Sequence, residues 1–207
     1  ILNRSLMFKI FFMKKLLLII ILTISFQTST KADDIKDFEI EGISIGDSAL
    51  NHFTKDLIDK NTFDYYKDKT FTPVQMPTLA FYEQYDYVDF DFKTNDKKYI
   101  IHALYGTIGY EKNINDCYKQ MDEVVLSMKR LFDNVQVGEK YDEKRPGLTG
   151  DPTGKSKATI VNFWLDNGDR ASVSCYDYSE EHGGLDNLTV GIQTKEQNDF
   201  LFNKAYK

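Results

Sequence analysis

Apolar residues recur at three- and four-residue steps between positions 114 and 132, and this spacing constrains the fold more than any other feature. Such a pattern forms one apolar stripe along a helix, which must then lie against another apolar surface. Asn113 can cap the start of this helix, and Lys129 and Arg130 suit its C-terminal dipole. The apolar positions are Ile114, Cys117, Met121, Val124, Val125, Met128, Leu131 and Phe132.

A β-sheet built from hairpins is the predicted partner of this helix. Residues 85–93 and 99–110 alternate in polarity and are separated by a polar turn, as in an antiparallel hairpin. Residues 158–165 and 170–178 form a second pair around Asp166-Asn167-Gly168-Asp169. The Asn-Gly step tolerates the positive φ angles that a tight hairpin turn requires.

The order of these elements indicates an α+β fold. A strand over residues 37–43 and short capped helices precede the hairpins, and a last strand over 188–192 leads to a C-terminal helix after Thr194. Residues 61–78 are predicted to form a long connection that can include one short strand, and residues 135–157 a mobile loop or hairpin excursion. The prediction is an antiparallel sheet packed against one long helix, with short N- and C-terminal helices.

The two cysteines are predicted to form a disulfide. Cys117 belongs to the apolar stripe of the long helix, and Cys175 shares a strand face with Ala171 and Val173. Both thiols therefore point to the place where the helix packs on the sheet. Two buried free thiols are the alternative, since cysteine also behaves as a small hydrophobic residue.

A basic, apolar and small-residue sequence at the start of the chain predicts a secretory signal peptide. Met13-Lys14-Lys15 precedes the apolar run Leu16 to Phe26, and Thr30-Lys31-Ala32 supplies the small residues of a cleavage site. We expect residues 1–32 to be removed near Ala32, which leaves 33–207 as a single domain in the periplasm or medium. Translation is expected to start at Met7 or Met13. An uncleaved anchor is the alternative, although a membrane span needs about 20 apolar residues.

Removal of this leader makes the chain more acidic. The leader holds five of the 26 Lys and Arg residues and none of the 32 acids, so the net charge falls from −6 to −11. An acidic surface repels phosphate backbones and anionic lipids. The sequence therefore disfavours nucleic-acid binding and stable membrane attachment. An even number of cysteines also fits an oxidising compartment.

Four blocks of the chain resemble a group of uncharacterised, signal-peptide-bearing proteins of marine α-proteobacteria. The resemblance spans most of the chain after the leader and includes both cysteines. It implies export and a periplasmic or surface location, and it implies no activity. The blocks are Glu41-Gly42-Ile43-Ser44-Ile45-Gly46-Asp47-Ser48, Ile114-Asn115-Asp116-Cys117-Tyr118-Lys119, Cys175-Tyr176-Asp177-Tyr178-Ser179-Glu180-Glu181 and Leu188-Thr189-Val190 running to Thr194-Lys195-Glu196.

An enzymatic interpretation starts from Gly46-Asp47-Ser48-Ala49, which is similar to the motif of the Gly-Asp-Ser-Leu hydrolases. In those enzymes the serine is the nucleophile, and an Asp-x-x-His near the C-terminus supplies the base. Here Ser48 would be the nucleophile, and His52 or His182 would have to lie near its oxygen. Position 179 is Ser rather than Asp. A helix cap at Asp47 or Ser48 is therefore the favoured interpretation.

Metal sites receive little support from the sequence. The three histidines are scattered, so neither zinc nor any other cofactor is predicted. A weak calcium alternative uses the oxygen ligands of the acidic loop after the last cysteine. That loop lacks the regular spacing of a calcium-binding loop, and a solvated turn is favoured. Its acids are Asp177, Glu180, Glu181 and Asp186.

The candidate binding surface is aromatic and polar. Trp164, Tyr176 and Tyr178 fall on strand faces opposite the apolar residues, beside Asn162 and small serines. Aromatic rings with small polar neighbours are typical of surfaces that bind sugars or peptides. The alternative is that the N-terminal segment covers this face and buries the rings.

These patterns together predict a non-enzymatic binding module of the cell envelope. Its partner would be a peptide, a glycan or an envelope protein, bound at the aromatic face or at residues 140–157. Two alternatives come from other classes. One is a small secreted serine hydrolase that uses Ser48, and the other is a structural accessory of envelope assembly that pairs through an edge strand.

Overall fold

The computed structural model of the chain describes residues 34–111, 113–132, 135–144, 151 and 153–207. The predicted leader and its cleavage near Ala32 lie outside these residues. Three α-helices are described: α1 at Lys55–Lys60, α2 at Ile114–Leu131 and α3 at Lys195–Asn203. The described strands are β1 Glu39–Ile40, β2 Ile43–Ser44, β3 Phe71–Met76, β4 Tyr87–Lys93, β5 Ile101–Gly109, β6 Val135–Val137, β7 Tyr141–Lys144, β8 Lys157–Leu165, β9 Arg170–Asp177 and β10 Asn187–Gln193.

Eight of the described strands form one antiparallel sheet, so the predicted α+β class is confirmed. The strand order is β3-β4-β5-β10-β9-β8, and both β6 and β7 pair with the outer side of β8. The remaining strands, β1 and β2, form a separate small hairpin. The predicted turn at Asn167-Gly168 joins β8 to β9, where Gly168 has a φ of 88°.

The long helix α2 packs across β9 and β10. The predicted disulfide is confirmed: Cys117 on α2 is bonded to Cys175 on β9, with their Cα atoms 6.0 Å apart. Asn113 occupies the N-cap position, but its side chain makes no capping hydrogen bond. It donates instead to the carboxylate of Asp116, so the predicted capping role is wrong in its detail.

The face of the sheet beneath α2, here the helix-covered face, carries the main apolar core. Alternate residues of each strand point toward this face, as the alternating pattern predicted. The buried residues of the sheet on this face include Val88, Phe90, Leu104, Val161, Phe163, Val173, Leu188, Val190 and Ile192.

The N-terminal segment joins the same core. The ring of Phe53 stacks on Phe90 with 5.7 Å between centroids, and Ile40, Ile43 and Ile58 are buried in the same cluster. Thr54 accepts a hydrogen bond from the amide of Leu57 and caps α1, as the sequence predicts. The described part of the N-terminal segment therefore packs on the helix-covered face.

Two stretches that were predicted mainly as connections contain strands of the sheet. Within 61–78, β3 is the one short strand that the sequence allowed, and it pairs with β4 although it contains Pro73. Proline is tolerated there because β3 ends the strand order and no described strand pairs with its other side. Within 135–157, β6 and β7 extend the sheet beyond β8. Residues 145–150 and 152 of this predicted mobile segment lie outside the described residues.

The opposite side of the sheet, here the second face, is covered over part of its area. Helix α3 begins at the end of β10, and Thr194 caps it by accepting a hydrogen bond from the amide of Gln197. Phe200 of α3 packs with Tyr66 and with Phe71 of β3 in a second, smaller buried cluster. Strands β8 and β9 extend beyond this cluster, and they carry the residues predicted to form a binding surface.

Candidate functional site

The predicted surface residues of β8 and β9 lie along one line on the second face. The strand register pairs Trp164 with Arg170 and Asn162 with Ser172. It then pairs Ile160 with Ser174, and Ala158 with Tyr176. We call Trp164, Asn162, Ser172, Ser174 and Tyr176 the β8–β9 track. Six residue steps separate Arg170 from Tyr176, so the track is about 20 Å long.

Aromatic rings stand at both ends of this track. Trp164 and Tyr176 are both half-buried. The guanidinium of Arg170 lies 5.7 Å from the centre of the Trp164 ring, close enough for a cation–π interaction. The structure therefore brings the two predicted aromatic residues onto one surface but separates them by a polar floor.

Two further tyrosines flank the track. Tyr141 of β7 is 44% exposed, and its hydroxyl accepts a hydrogen bond from Asn162 Nδ2 at 3.2 Å. On the other side, the ring of Tyr105 packs directly on Gly191 of β10, where an added Cβ would lie 2.6 Å from the ring. Glycine is required at this position because the ring occupies the space of a side chain. Neither tyrosine was among the residues predicted from the sequence.

The floor of the track is largely buried, since Ser174 and its paired residue Ile160 are only 5% and 6% exposed. No hydrogen bond between described residues uses the side-chain hydroxyl of Ser172 or Ser174, or the indole N–H of Trp164. Asn162 is only 7% exposed, and its Oδ1 atom is buried without a partner among the described residues. Buried polar groups are usually hydrogen-bonded, so the unpaired amide oxygen is a reason to look for a ligand.

Tyr178 lies beyond β9 and does not extend the floor. Its ring stacks on Tyr176, with centroids 6.1 Å apart, and on His182, with centroids 4.5 Å apart. The Nδ1 atom of His182 accepts a hydrogen bond from the amide of Gly184. The three rings therefore form one stack, in which Tyr178 and His182 support the Tyr176 ring at that end of the track.

Beneath α3, the second face holds a buried acidic group. Asp91 is only 2% exposed, and its Oδ2 atom accepts hydrogen bonds from Tyr66 at 2.9 Å and from Gln197 at 2.5 Å. Burial raises the pKa of Asp91 to about 7. The carboxyl thus joins the segment before β3 to the first turn of α3.

Asp89 lies two residues earlier on β4 and belongs to the same face. Burial also raises its pKa, to about 6. Its Oδ2 atom is 3.4 Å from Gln75 Nε2, and its Oδ1 atom is buried without a partner among the described residues. The sequence indicated only that both acids oppose the apolar residues of β4. It gave no sign of their burial, because the covering groups come from Tyr66 and α3.

Ser48 caps a short helical turn. Its hydroxyl accepts a hydrogen bond from the amide of Leu50 and donates one to the carbonyl of Lys98 at 2.6 Å. His52 Nε2 is bonded to Asp47 at 3.1 Å, and His182 lies in the ring stack described above. No hydrogen bond between described residues joins Ser48 to a histidine. The geometry therefore matches the helix-cap interpretation of the sequence.

The acids of the weak calcium alternative contact different partners. Asp186 accepts a hydrogen bond from the amide of Tyr178, Asp177 is paired with Lys157, and Glu181 is paired with Lys155. Glu180 is exposed. Within the residues that the structure describes, no group of three or more His, Cys, Asp or Glu side chains could hold a metal ion.

A cleft of about 280 Å³ lies away from the track, beside the outer edge of β3. Phe63, Tyr66 and Pro73 are among its lining residues. Lys69 at its rim is bonded to Asp64 and to the carbonyl of Tyr66, so its charge is already compensated. This cleft is the gap between β3 and the segment that runs along it, and none of its lining residues belongs to the β8–β9 track.

Comparisons with family models, curated proteins and solved structures found no match to this chain. Among the described helices, none combines the length and apolar character needed to cross a membrane. The inference of function therefore depends on the geometry of the second face.

Proposed function

We propose that this chain is an exported, non-enzymatic binding protein of the cell envelope that holds its ligand on the β8–β9 track. The observation that carries the proposal is the position of two half-buried aromatic rings, Trp164 and Tyr176, on one strand face with the polar side chain of Ser172 between them. Binding sites are commonly made of rings that supply contact area and a few polar groups that fix orientation.

Export is supported by the leader pattern and by the disulfide. A structural disulfide is rare in the cytosol and common in the periplasm and in secreted proteins. Cys117 and Cys175 form such a bond between α2 and the sheet. The resemblance to exported α-proteobacterial proteins also favours the periplasm or cell surface.

A secreted hydrolase is less well supported. A nucleophilic serine needs a base within hydrogen-bonding distance, and the hydroxyl proton of Ser48 is directed to the carbonyl of Lys98 instead. We expect Ser48→Ala to leave any ester turnover unchanged. A loss of turnover in this variant would restore the enzymatic alternative.

An accessory that pairs through an edge strand is also less well supported. On one side of the sheet the described edge strands β6 and β7 are 3 and 4 residues long. On the other side, an isolated bridge between Thr62 and Val74 covers part of β3. Strand addition favours a long unpaired edge, and the described edges are short or partly paired.

The binding proposal can be tested with arrays of neutral glycans, charged glycans and peptides. The full chain would be expressed in an export-competent bacterium and purified with its disulfide intact. We expect the wild type to retain one class of probe, and Ser172→Arg to lose it because the long side chain fills the floor. Leu126→Ala, on the exposed side of α2, is the control and should bind normally.

Two outcomes would contradict the proposal. One is that no probe of any class is retained by the wild type. The other is equal retention by Ser172→Arg while its disulfide and its thermal unfolding match those of the wild type. The mass of the purified protein tests export in the same experiment, because cleavage near Ala32 leaves 175 of the 207 residues.

A further inference from the structure

We infer that α3 and residues 65–67, here the cover, close over the second face while Asp91 carries a proton and open locally when its carboxyl ionises. Opening exposes Asp91 and Phe71, which are each only 2% exposed in the closed form. This inference does not depend on the binding function proposed above, because the cover lies over β3 and β4 rather than over the β8–β9 track.

The cover can move without disturbing the main core. Phe200 of α3 packs with Tyr66, Phe71 and Ala205 in the smaller buried cluster, and none of the buried residues of the main cluster belongs to α3. The amide of Lys67 donates to the carbonyl of Ala205 at 2.8 Å, which joins the two parts of the cover. A unit with few apolar contacts can open at a lower free energy than the whole fold.

The carboxyl of Asp91 is held between the cover and the sheet by neutral groups. Tyr66 and Gln197 both donate to its Oδ2 atom, at 2.9 and 2.5 Å. Within the described residues, neither Asp91 nor its neighbour Asp89 forms an ion pair with a basic side chain. A buried carboxylate without a positive partner is costly, so the closed cover favours the protonated, uncharged form.

The interface between α3 and the sheet has an excess of hydrogen-bond acceptors. Asp89 Oδ1, Gln197 Oε1 and Asn198 Oδ1 are buried and have no partner in the described part of the chain. Gln197 is fully buried and Asn198 is 5% exposed, so their oxygens lie inside the interface rather than in water. A protonated carboxyl adds a donor and removes a charge, whereas ionisation reverses both effects.

Asp89 places a second acid beside the first. It lies two residues before Asp91 on β4, so both side chains point to the second face. Burial, and to a smaller extent repulsion by Asp89, raises the pKa of Asp91 to about 7. Because the carboxyl has an ordinary, lower pKa once the cover opens, protons stabilise the closed form. This stabilisation is lost as the pH rises toward and through 7.

The tyrosines around Asp91 do not titrate in this range. Burial raises the pKa values of Tyr65, Tyr66 and Tyr105 above the usual value for tyrosine, so all three keep their protons at neutral pH. Arg170 belongs to β9, and strands β5 and β10 lie between β9 and β4. Asp91 is therefore the group of this region whose charge changes near pH 7.

The charged groups at the start of α3 act differently. Lys93 of β4 is paired with Glu196 at 2.8 Å, and His102 of β5 lies 3.9 Å from the same carboxylate. Burial lowers the pKa of His102 below its usual value of 6.5. Its protonation therefore occurs at more acidic pH and disfavours the closed form, which is the opposite direction to the effect of Asp91.

Hydrogen exchange measured by mass spectrometry tests the cover, with each rate divided by its intrinsic rate at the same pH. The full chain would be used with its disulfide intact. We expect the amides of α3 to be less protected than those of α2, because α3 opens locally and α2 exchanges through global unfolding. The opening constant of α3 should rise about fivefold between pH 6 and 7 and level off above about pH 8.

Two variants and a control assign this dependence to Asp91. Asp91→Asn should flatten it, because the amide can still accept from Tyr66 and Gln197 but does not ionise. Tyr66→Phe removes a donor that favours the ionised carboxyl, so the rise should continue to higher pH. Asp199→Asn, an exposed position on α3, should keep the wild-type dependence.

Equal protection of α2 and α3 would overturn the inference, because the cover would then open only with the whole fold. Protection of α3 that stays constant between pH 6 and 8, or that changes equally in the wild type and Asp91→Asn, would also overturn it. If Asp91→Asn does not fold, Tyr66→Phe decides, and a rise that ends at lower pH counts against the inference. Thermal unfolding and an intact disulfide show whether each variant is folded.

Discussion

The two faces of the sheet are made from the same strands and differ in almost every other respect. On β8, Phe163 is fully buried under α2, whereas its neighbour Trp164 is half-buried on the second face. On β9, Cys175 is bonded to α2, whereas Tyr176 stands at the end of the β8–β9 track. Alternation along one strand thus divides residues of the main core from residues of the second face.

The second face is itself divided. Under α3, the buried carboxyl of Asp91 is bonded by Tyr66 and Gln197, so its acceptors are used inside the protein. Along the track, the hydroxyls of Ser172 and Ser174 are not used by any described residue. On the binding function proposed above, the first region would serve stability and the second recognition, and mutations at matched positions can test that proposal.

The largest effect is expected from the disulfide on the helix-covered face. Cys117 and Cys175 are separated by 58 residues, and closing such a loop stabilises the fold by about 4 kcal/mol in the chain-entropy model. The double variant Cys117→Ala/Cys175→Ala should lose about this much free energy of unfolding in denaturant titration. Reduction of the wild type should reproduce the loss. Equal stability of all three forms would contradict a structural role.

Substitutions of two adjacent residues of β8 should give the next largest difference in stability. Phe163→Ala removes a fully buried ring and should cost about 3–4 kcal/mol of unfolding free energy, including the cavity it leaves. Trp164→Ala should cost only about 1–2 kcal/mol, because this larger ring is incompletely buried. Ligand binding should follow the opposite order, with Trp164→Ala the more damaging. Similar stability losses in both variants would show that Trp164 belongs to the core.

Substitutions at two glycines test whether the packing of Tyr105 on β10 supports the track. Gly191→Ala places a Cβ 2.6 Å from the Tyr105 ring, and we expect a loss of about 2 kcal/mol together with weaker ligand binding. Gly138→Ala is the matched control, since the nearest atom to its added Cβ is 3.5 Å away. This control should stay within about 0.5 kcal/mol of the wild type. Thermal unfolding and titration of both variants measure the contrast, and equal losses would remove the role given to Tyr105.

The sequence predicted the helix-covered face well because local pattern determines it. The stripe of α2, the alternation of Val161 and Phe163, and the turn at Asn167-Gly168 each follow from residues close together in the chain. Because both cysteines fell on apolar faces, their bond could also be predicted. Export, partner and activity stay predictions, because no described contact bears on them.

The second face could be predicted only in part. The side of the strands on which Trp164, Asn162 and Tyr176 lie followed from alternation. Whether that side is covered depends on where α3 and Tyr66 return to the sheet, which is a long-range property. The sequence could not show that Tyr141 flanks the track. Its strand β7 has only four residues, too few for an alternation of apolar and polar residues to be recognised.

The smallest effect is a pH trend that separates the covered region of the second face from the track. Burial raises the pKa of Asp91 to about 7, above its value in the unfolded chain, so the folded protein holds the proton more tightly. Stability from this group is therefore greatest at acidic pH and is lost as the pH rises toward and through 7. Between pH 6 and 7 the loss should be about 1 kcal/mol.

Asp91→Asn isolates this trend from those of the other acids. Its amide oxygen can still accept from Tyr66 and Gln197 but does not ionise, so denaturant titrations should show a flatter pH dependence than the wild type over this interval. Asp199→Asn, an exposed position on α3, should retain the wild-type slope. Parallel curves for all three proteins would mean that Asp91 does not titrate in this range. Ligand affinity should change little in Asp91→Asn, because the carboxyl lies beneath α3 rather than on the track.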